Sequence, residues 1–109
     1  MISISTHVLN TAVGGPARAV PVVLMFREDA TKSWKIVGRG LTDVKGRLQD
    51  FISADFKPVP GIYCLNFDSK MFSPFFPEIT VQFIVMDTEQ HYHVPLLVSE
   101  FGFTTYRGA

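Results

Sequence analysis

Five side chains carry most of this sequence's capacity for proton and anion chemistry. His7 stands in MISISTHVLN, Arg47 follows the tetrapeptide DVKG, HYHVPLLV contributes His91 and His93, and Arg107 lies in the closing TTYRGA. Neutral imidazole is the side chain best poised to take up a proton near pH 7. Guanidinium, planar and multiply donating, suits electron-rich oxygens. A His-x-His pair on a strand aims both rings to one side, because successive side chains alternate between faces. Three readings follow from these residue types: histidines on a solvated sheet, a three-histidine metal site completed by His7, or acid–base catalysis. Taken singly, Arg47 and Arg107 read as solvated arginines. Cys64 alternates with Ile62 and Asn66 in an apolar run, where a lone cysteine more often fills space than attacks. There is no Ser–His–Asp order, no Gly-rich phosphate loop and no pair of glycosidase-type carboxylates. The residues alone leave the choice among the three readings open.

The elements that must hold these groups are strands. From Ile2, one face reads Ile2, Ile4, Thr6, Val8 and the other Ser3, Ser5, His7, Leu9, the period-two pattern of a half-buried strand. The run LNTAVGGPA is a turn. RAVPVVLMFRE (18–28) reads as a second strand, which Pro21 makes irregular at its start or places at an edge. WKIVGRGLT alternates around Trp34, Ile36 and Gly38, DVKG has turn chemistry, and the segment 48–57 is ambiguous. GIYCLNF (61–67) and EITVQFIVMD (78–87) are strands, the latter with Thr80, Gln82 and Ile84 opposite Val81, Phe83 and Val85. SKMFSPFFPE between them holds two prolines and cannot be helical throughout. HYHVPLLV and GFTTY form a closing hairpin joined by SEFG, with Tyr92, Val94 and Leu96 turned to the core. Seven or eight short strands separated by turns predict an all-β sandwich.

The totals agree. With 109 residues, 47% of them hydrophobic, the chain supports one domain spanning 1–109 with a single core. Ten basic and ten acidic residues give no net charge, so nucleic acid is not an expected partner. The longest apolar run, Ala19 to Phe26, is too short to span a bilayer. One cysteine excludes an intrachain disulfide, and the N-terminal residues do not read as a signal peptide. A soluble, intracellular and unsecreted protein is expected, in the cytoplasm or alternatively the peroxisome.

Several of these stretches also carry a resemblance. STHVLNTAVGGPA, TDVKGR, GIYCLNFD, FFPEITVQF and HYHVPLLVSEFGFTTYRGA, in this order, are similar to the 5-hydroxyisourate hydrolases, or transthyretin-related proteins, over essentially the whole chain. The resemblance implies a transthyretin-type β-sandwich assembled as a homotetramer, a dimer of dimers, with neither metal nor cofactor. It implies hydrolysis of 5-hydroxyisourate to 2-oxo-4-hydroxy-4-carboxy-5-ureidoimidazoline. The family's catalytic positions fall on His7, Arg47 and His93, and its terminal Tyr-Arg-Gly-Ser on Tyr106, Arg107, Gly108 and Ala109, lining a cleft where dimers meet. The competing reading is a transthyretin-like carrier of a planar ligand. The carrier, however, has lysine, glutamate and threonine where this chain has His7, Arg47 and His93, and it lacks the YRG ending. Two departures stand out. Ala109 replaces the family's serine, which predicts a slower enzyme by the loss of one hydrogen bond, about 0.5–1.5 kcal/mol. The 69–77 connection, where relatives carry a helix, is roughly half a dozen residues shorter, so that helix is expected to be shortened or absent.

Overall fold

The computed structural model describes residues 1–109, and its alternating segments become two sheets. The strands are β1 Ser3–Asn10, β2 Gly15–Pro16, β3 Pro21–Arg27, β4 Lys35–Leu41, β5 Arg47–Leu48, β6 Gly61–Asp68, β7 Glu78–Val85, β8 His91–His93, β9 Leu96–Val98 and β10 Phe103–Thr105. One sheet runs β10-β9-β1-β2, with β5 and β8 also paired to β1; the other runs β4-β3-β6-β7. Ten strands exceed the expected seven or eight because β2 and β5 are two-residue pieces, too short to show periodicity in sequence.

The inner faces are those the alternation predicts. Ile2, just before β1, and Ile4, Thr6 and Val8 on it are buried, and the three apolar ones pack with Leu24, Leu65, Phe67, Ile79 and Leu96 in one core. Tyr92, Val94 and Leu96 face the same core, while His7 and His93 are only half-buried. Thr6 is the polar exception in this face, and its hydroxyl donates to the Val94 carbonyl at 2.6 Å. That bond removes the penalty of about 1–3 kcal/mol that an unsatisfied buried hydroxyl would carry.

β1 lies parallel to β8 and β9, pairing Ser3 with His91, Ser5 with His93 and Val8 with Leu96. Pro95, which has no N–H, interrupts this ladder without shifting its register. β9 and β10 form the expected hairpin, Phe103 opposite Val98. Pro21 is the first residue of β3, an interior strand flanked by β4 and β6, so the irregular start is the correct alternative and the edge is not.

Two segments depart from the alternation. β3–β4 pairing slips between Leu24 and Met25, which face Gly38 and Ile36 respectively. Val37 is the extra residue of this bulge and turns inward, leaving Ile36 48% exposed rather than on the inner face. The ambiguous segment 48–57 contributes only Leu48 to a strand, then buries Phe51 and bridges Ile52 to Gly38. Between β6 and β7 there is no helix. The N–H groups of Phe72 and Ser73 both donate to the Ser69 carbonyl, a single turn that Pro74 and Pro77 cannot extend.

Candidate active site

The turn 43–46 sets the position of Arg47. Asp43 Oδ1 accepts the N–H of Lys45 at 2.8 Å and of Arg47 at 2.9 Å. The Asp43 N–H in turn donates to the Arg47 carbonyl at 2.8 Å. Gly46 adopts φ +76°, where its missing Cβ would otherwise lie 2.4 Å from the Val8 carbonyl oxygen. Bonds to the backbone N–H groups of Arg47 and Lys45 hold the Asp43 carboxyl below its usual range, with both side-chain cations adding to the effect. The result docks β5 on β1 with Arg47 directly opposite His7.

The same turn fixes the His7 ring. Its Nε2–H donates to the Lys45 carbonyl at 2.8 Å. A carbonyl only accepts, so the proton sits on Nε2 and, in the neutral ring, Nδ1 carries the lone pair.

His93 is held from two sides. Its Nδ1 lies 2.7 Å from the Ser5 hydroxyl, leaving Nε2 without a protein partner. Its carbonyl accepts the Gly108 N–H at 2.7 Å, in an isolated bridge that folds the chain's last residues against β8. A Cβ on Gly108 would lie 2.6 Å from Cδ2 of His93. Normal carbon contacts begin near 3.5 Å. Gly108→Ala is therefore expected to push the imidazole about 1 Å off its Ser5 bond, read as changed imidazole NMR shifts in a protein whose thermal unfolding is little altered. Unchanged shifts would show that the ring has room to spare.

Burial lowers the pKa of His93 below its ordinary value of 6.5, and His91, His7 and Arg47 lower it further. Three potentially cationic neighbours and partial desolvation all disfavour imidazolium. A neutral imidazole with an unengaged Nε2 is the form that accepts a proton. His91, exposed, stacks loosely on His93 at 6.4 Å between centroids.

His7, Arg47, His93 and Gly108 thus meet along β1. Arg107 and Tyr106 do not join them within one chain. Gly108 faces His93, so Arg107, one residue earlier, lies on the Tyr92 side. Its guanidinium covers the Tyr92 ring at 4.7 Å and donates to Gln90 Oε1 at 2.7 Å. With Tyr106 it borders a cleft of about 230 Å³ against Phe83 and Ile84 of β7. Ala109 is exposed at the chain end. The three histidines do not converge on a common point: His7 points to the Lys45 carbonyl, and His91 and His93 to Ser5. No group of three metal-ligating side chains is present. Two positions were missed in sequence. Ser5 shares a strand face with His7, which was a usable signal; Asp43 was visible only as a turn former.

The HIUase/Transthyretin family model matches residues 4–108. A protein named 5-hydroxyisourate hydrolase from Salmonella dublin is 39% identical over 112 residues, covering 97% of this chain and 80% of its own. The structure of Klebsiella pneumoniae 5-hydroxyisourate hydrolase superposes with a TM-score of 0.78 at 29% identity, covering 98% of this chain and 99% of that one. Sea bream transthyretin in complex with thyroxine superposes at 0.85 with 26% identity, over 97% of this chain and 94% of that one.

Proposed function

The chain belongs to the HIUase/Transthyretin family, and from that membership we propose that it hydrolyses 5-hydroxyisourate to 2-oxo-4-hydroxy-4-carboxy-5-ureidoimidazoline. Backbone likeness does not separate enzyme from carrier, since transthyretin superposes at least as well as the hydrolase. Sequence does. The Salmonella dublin relative, 39% identical over 97% of this chain, is named 5-hydroxyisourate hydrolase, whereas the superposed structures, 29% identical for the hydrolase and 26% for transthyretin, do not discriminate.

The observation that carries the mechanism is the pairing of a neutral, half-buried His93 with the His7–Arg47 register pair on β1. Opening a ring amide with water needs a base for the water proton, a donor for the oxyanion and a proton for the leaving nitrogen. His93 Nε2 takes the water proton and returns it to the leaving nitrogen. His7, its tautomer fixed by Lys45, orients the water through Nδ1. Arg47 holds substrate oxygens and meets the charge that develops on the attacked carbonyl.

The test is the ultraviolet decay of 5-hydroxyisourate freshly made by oxidising urate. Acceleration by the protein supports hydrolysis, and binding without acceleration supports the carrier. The pH profile is a second check. A base must be neutral, and His93 is harder to protonate than an ordinary histidine. Activity is therefore expected to hold at neutral pH and fall as pH drops below 6.5, through the lowered pKa. Activity that rises on acidification would overturn the base assignment. The same shift has a smaller stability counterpart. The unfolded chain binds the proton more readily, so this contribution is complete above 6.5 and lost as pH falls through the folded value.

The assembly we propose is a homotetramer, a dimer of dimers. β7 and β10 are unpaired edges, as β4 is at the other side of the β7 sheet, and Ile84 on β7 and Phe103 on β10 are exposed, a combination that favours pairing with another copy. Tyr106 and Arg107 lie beside these edges, so their role in substrate binding depends on that assembly. A cytoplasmic location is proposed from the single buried thiol of Cys64.

A further inference from the structure

Ser3, Ser5, His91 and His93 form an unbroken hydrogen-bonded chain, of which the reaction above uses only one end. The Ser5 hydroxyl lies 2.7 Å from Nδ1 of His93 and 2.8 Å from Nε2 of His91. Nδ1 of His91 lies 2.5 Å from the Ser3 hydroxyl. A serine hydroxyl has one hydrogen to donate, so Ser5 donates to one ring and accepts from the other. The tautomer of His93 therefore dictates that of His91. Ser5 is 2% exposed and has no direct route to water, whereas His91 is exposed. The parallel register of β1 and β8, Ser3 beside His91 and Ser5 beside His93, builds the whole array.

We infer that His91 is a proton-relay residue, acting through Ser5 to let His93 gain and return a proton without becoming an imidazolium. The inference rests on the hydrolytic reading. As Nε2 of His93 takes a proton from water, its Nδ1 proton passes to Oγ of Ser5. The Ser5 hydroxyl proton passes to Nε2 of His91, and Nδ1 of His91 releases its proton to the Ser3 hydroxyl and the solvent beyond. One O–H bond of water breaks, N–H and O–H bonds along the chain exchange one for one, and nothing is oxidised or reduced. When Nε2 of His93 protonates the leaving ring nitrogen, the reverse shift restores every tautomer.

The relay meets a need specific to this site. His7 and Arg47 both act against positive charge on His93, so a ring forced to store the proton would be a weaker base. His91 touches neither water nor substrate in this scheme. It is a positioning and relay residue, and its removal should lower kcat with little change in KM.

The experiment compares wild type, His91→Ala, His91→Gln and Ser5→Ala in the hydroxyisourate decay assay, with thermal unfolding as the check on folding. His91→Ala is expected to lose about tenfold or more in kcat, within the range of proton-transfer effects, and to recover most of it on addition of free imidazole. His91→Gln keeps an amide that can bond Ser5 but cannot pass a proton, so it should be as slow as His91→Ala. Adding His91→Ala to Ser5→Ala should cost little more, because the chain is already cut. Wild-type activity in His91→Gln, or no recovery of His91→Ala with imidazole, would overturn the relay and leave His91 a structural partner of Ser5. A wild type without turnover would instead remove the hydrolytic reading, and the relay with it.

Discussion

Alanine at His93 is expected to return the decay of 5-hydroxyisourate close to its uncatalysed rate, a loss of about 10²–10⁴-fold in kcat. The residue supplies an imidazole whose pKa is lowered by burial and whose Nε2 is left unengaged. Fold loss is not the expected cause. The ring is only half-buried, and the link from the His93 carbonyl to Gly108 is made by backbone and survives the substitution. His7→Ala should be slower than wild type but less damaged, since His7 only orients the water whose proton His93 takes. A His93→Ala protein that keeps wild-type kcat would sink the assignment of the base. Equal losses at both histidines would show instead that the two rings act as one unit.

The placement of these rings was partly legible. The alternation of Ile2, Ile4, Thr6 and Val8 with Ser3, Ser5 and His7 correctly separated the inner from the outer face of β1, because burial on a strand has period two. The partner strand was not legible. That β1 runs parallel to β8 depends on residues 88 positions away, and no local pattern reports a pairing at such separation. Ser5 therefore read as an ordinary polar residue, although it joins two imidazoles. The direction of Arg107 within the chain was not legible for a related reason. Its direction depends on which of the last residues pairs with His93, and a shift of one position reverses every side chain. Because Gly108 takes that place, Arg107 turns to Tyr92. The bulge at Val37 was not legible, because an inserted residue changes the phase of a strand without altering its composition. The absent helix was foreseeable, since Pro74 and Pro77 break the only segment available to it.

Arg47→Ala is expected to cost about 10²–10³-fold in kcat, the range seen when a donor to a developing oxyanion is removed. The residue is exposed, so thermal stability should be nearly unchanged and the loss should be specific to turnover. Arg47→Lys keeps the charge but not the planar fork, and should recover only part of the rate. The decisive comparison is with Asp43→Ala. Asp43 is well away from the chemistry in role, yet its carboxylate accepts the N–H groups of both Lys45 and Arg47. Losing it frees the turn that points Arg47 toward His7 and presents the Lys45 carbonyl to the His7 ring. About tenfold of kcat should go with it, since small misplacements of a charge-stabilising group are costly. If orientation is the cause, the double variant Arg47→Ala, Asp43→Ala should be little slower than Arg47→Ala alone, because the turn then has no guanidinium left to aim. Full additivity of the two losses would mean that Asp43 acts chiefly through His7, and the hydrogen bond from its ring to Lys45 would become the next one to break.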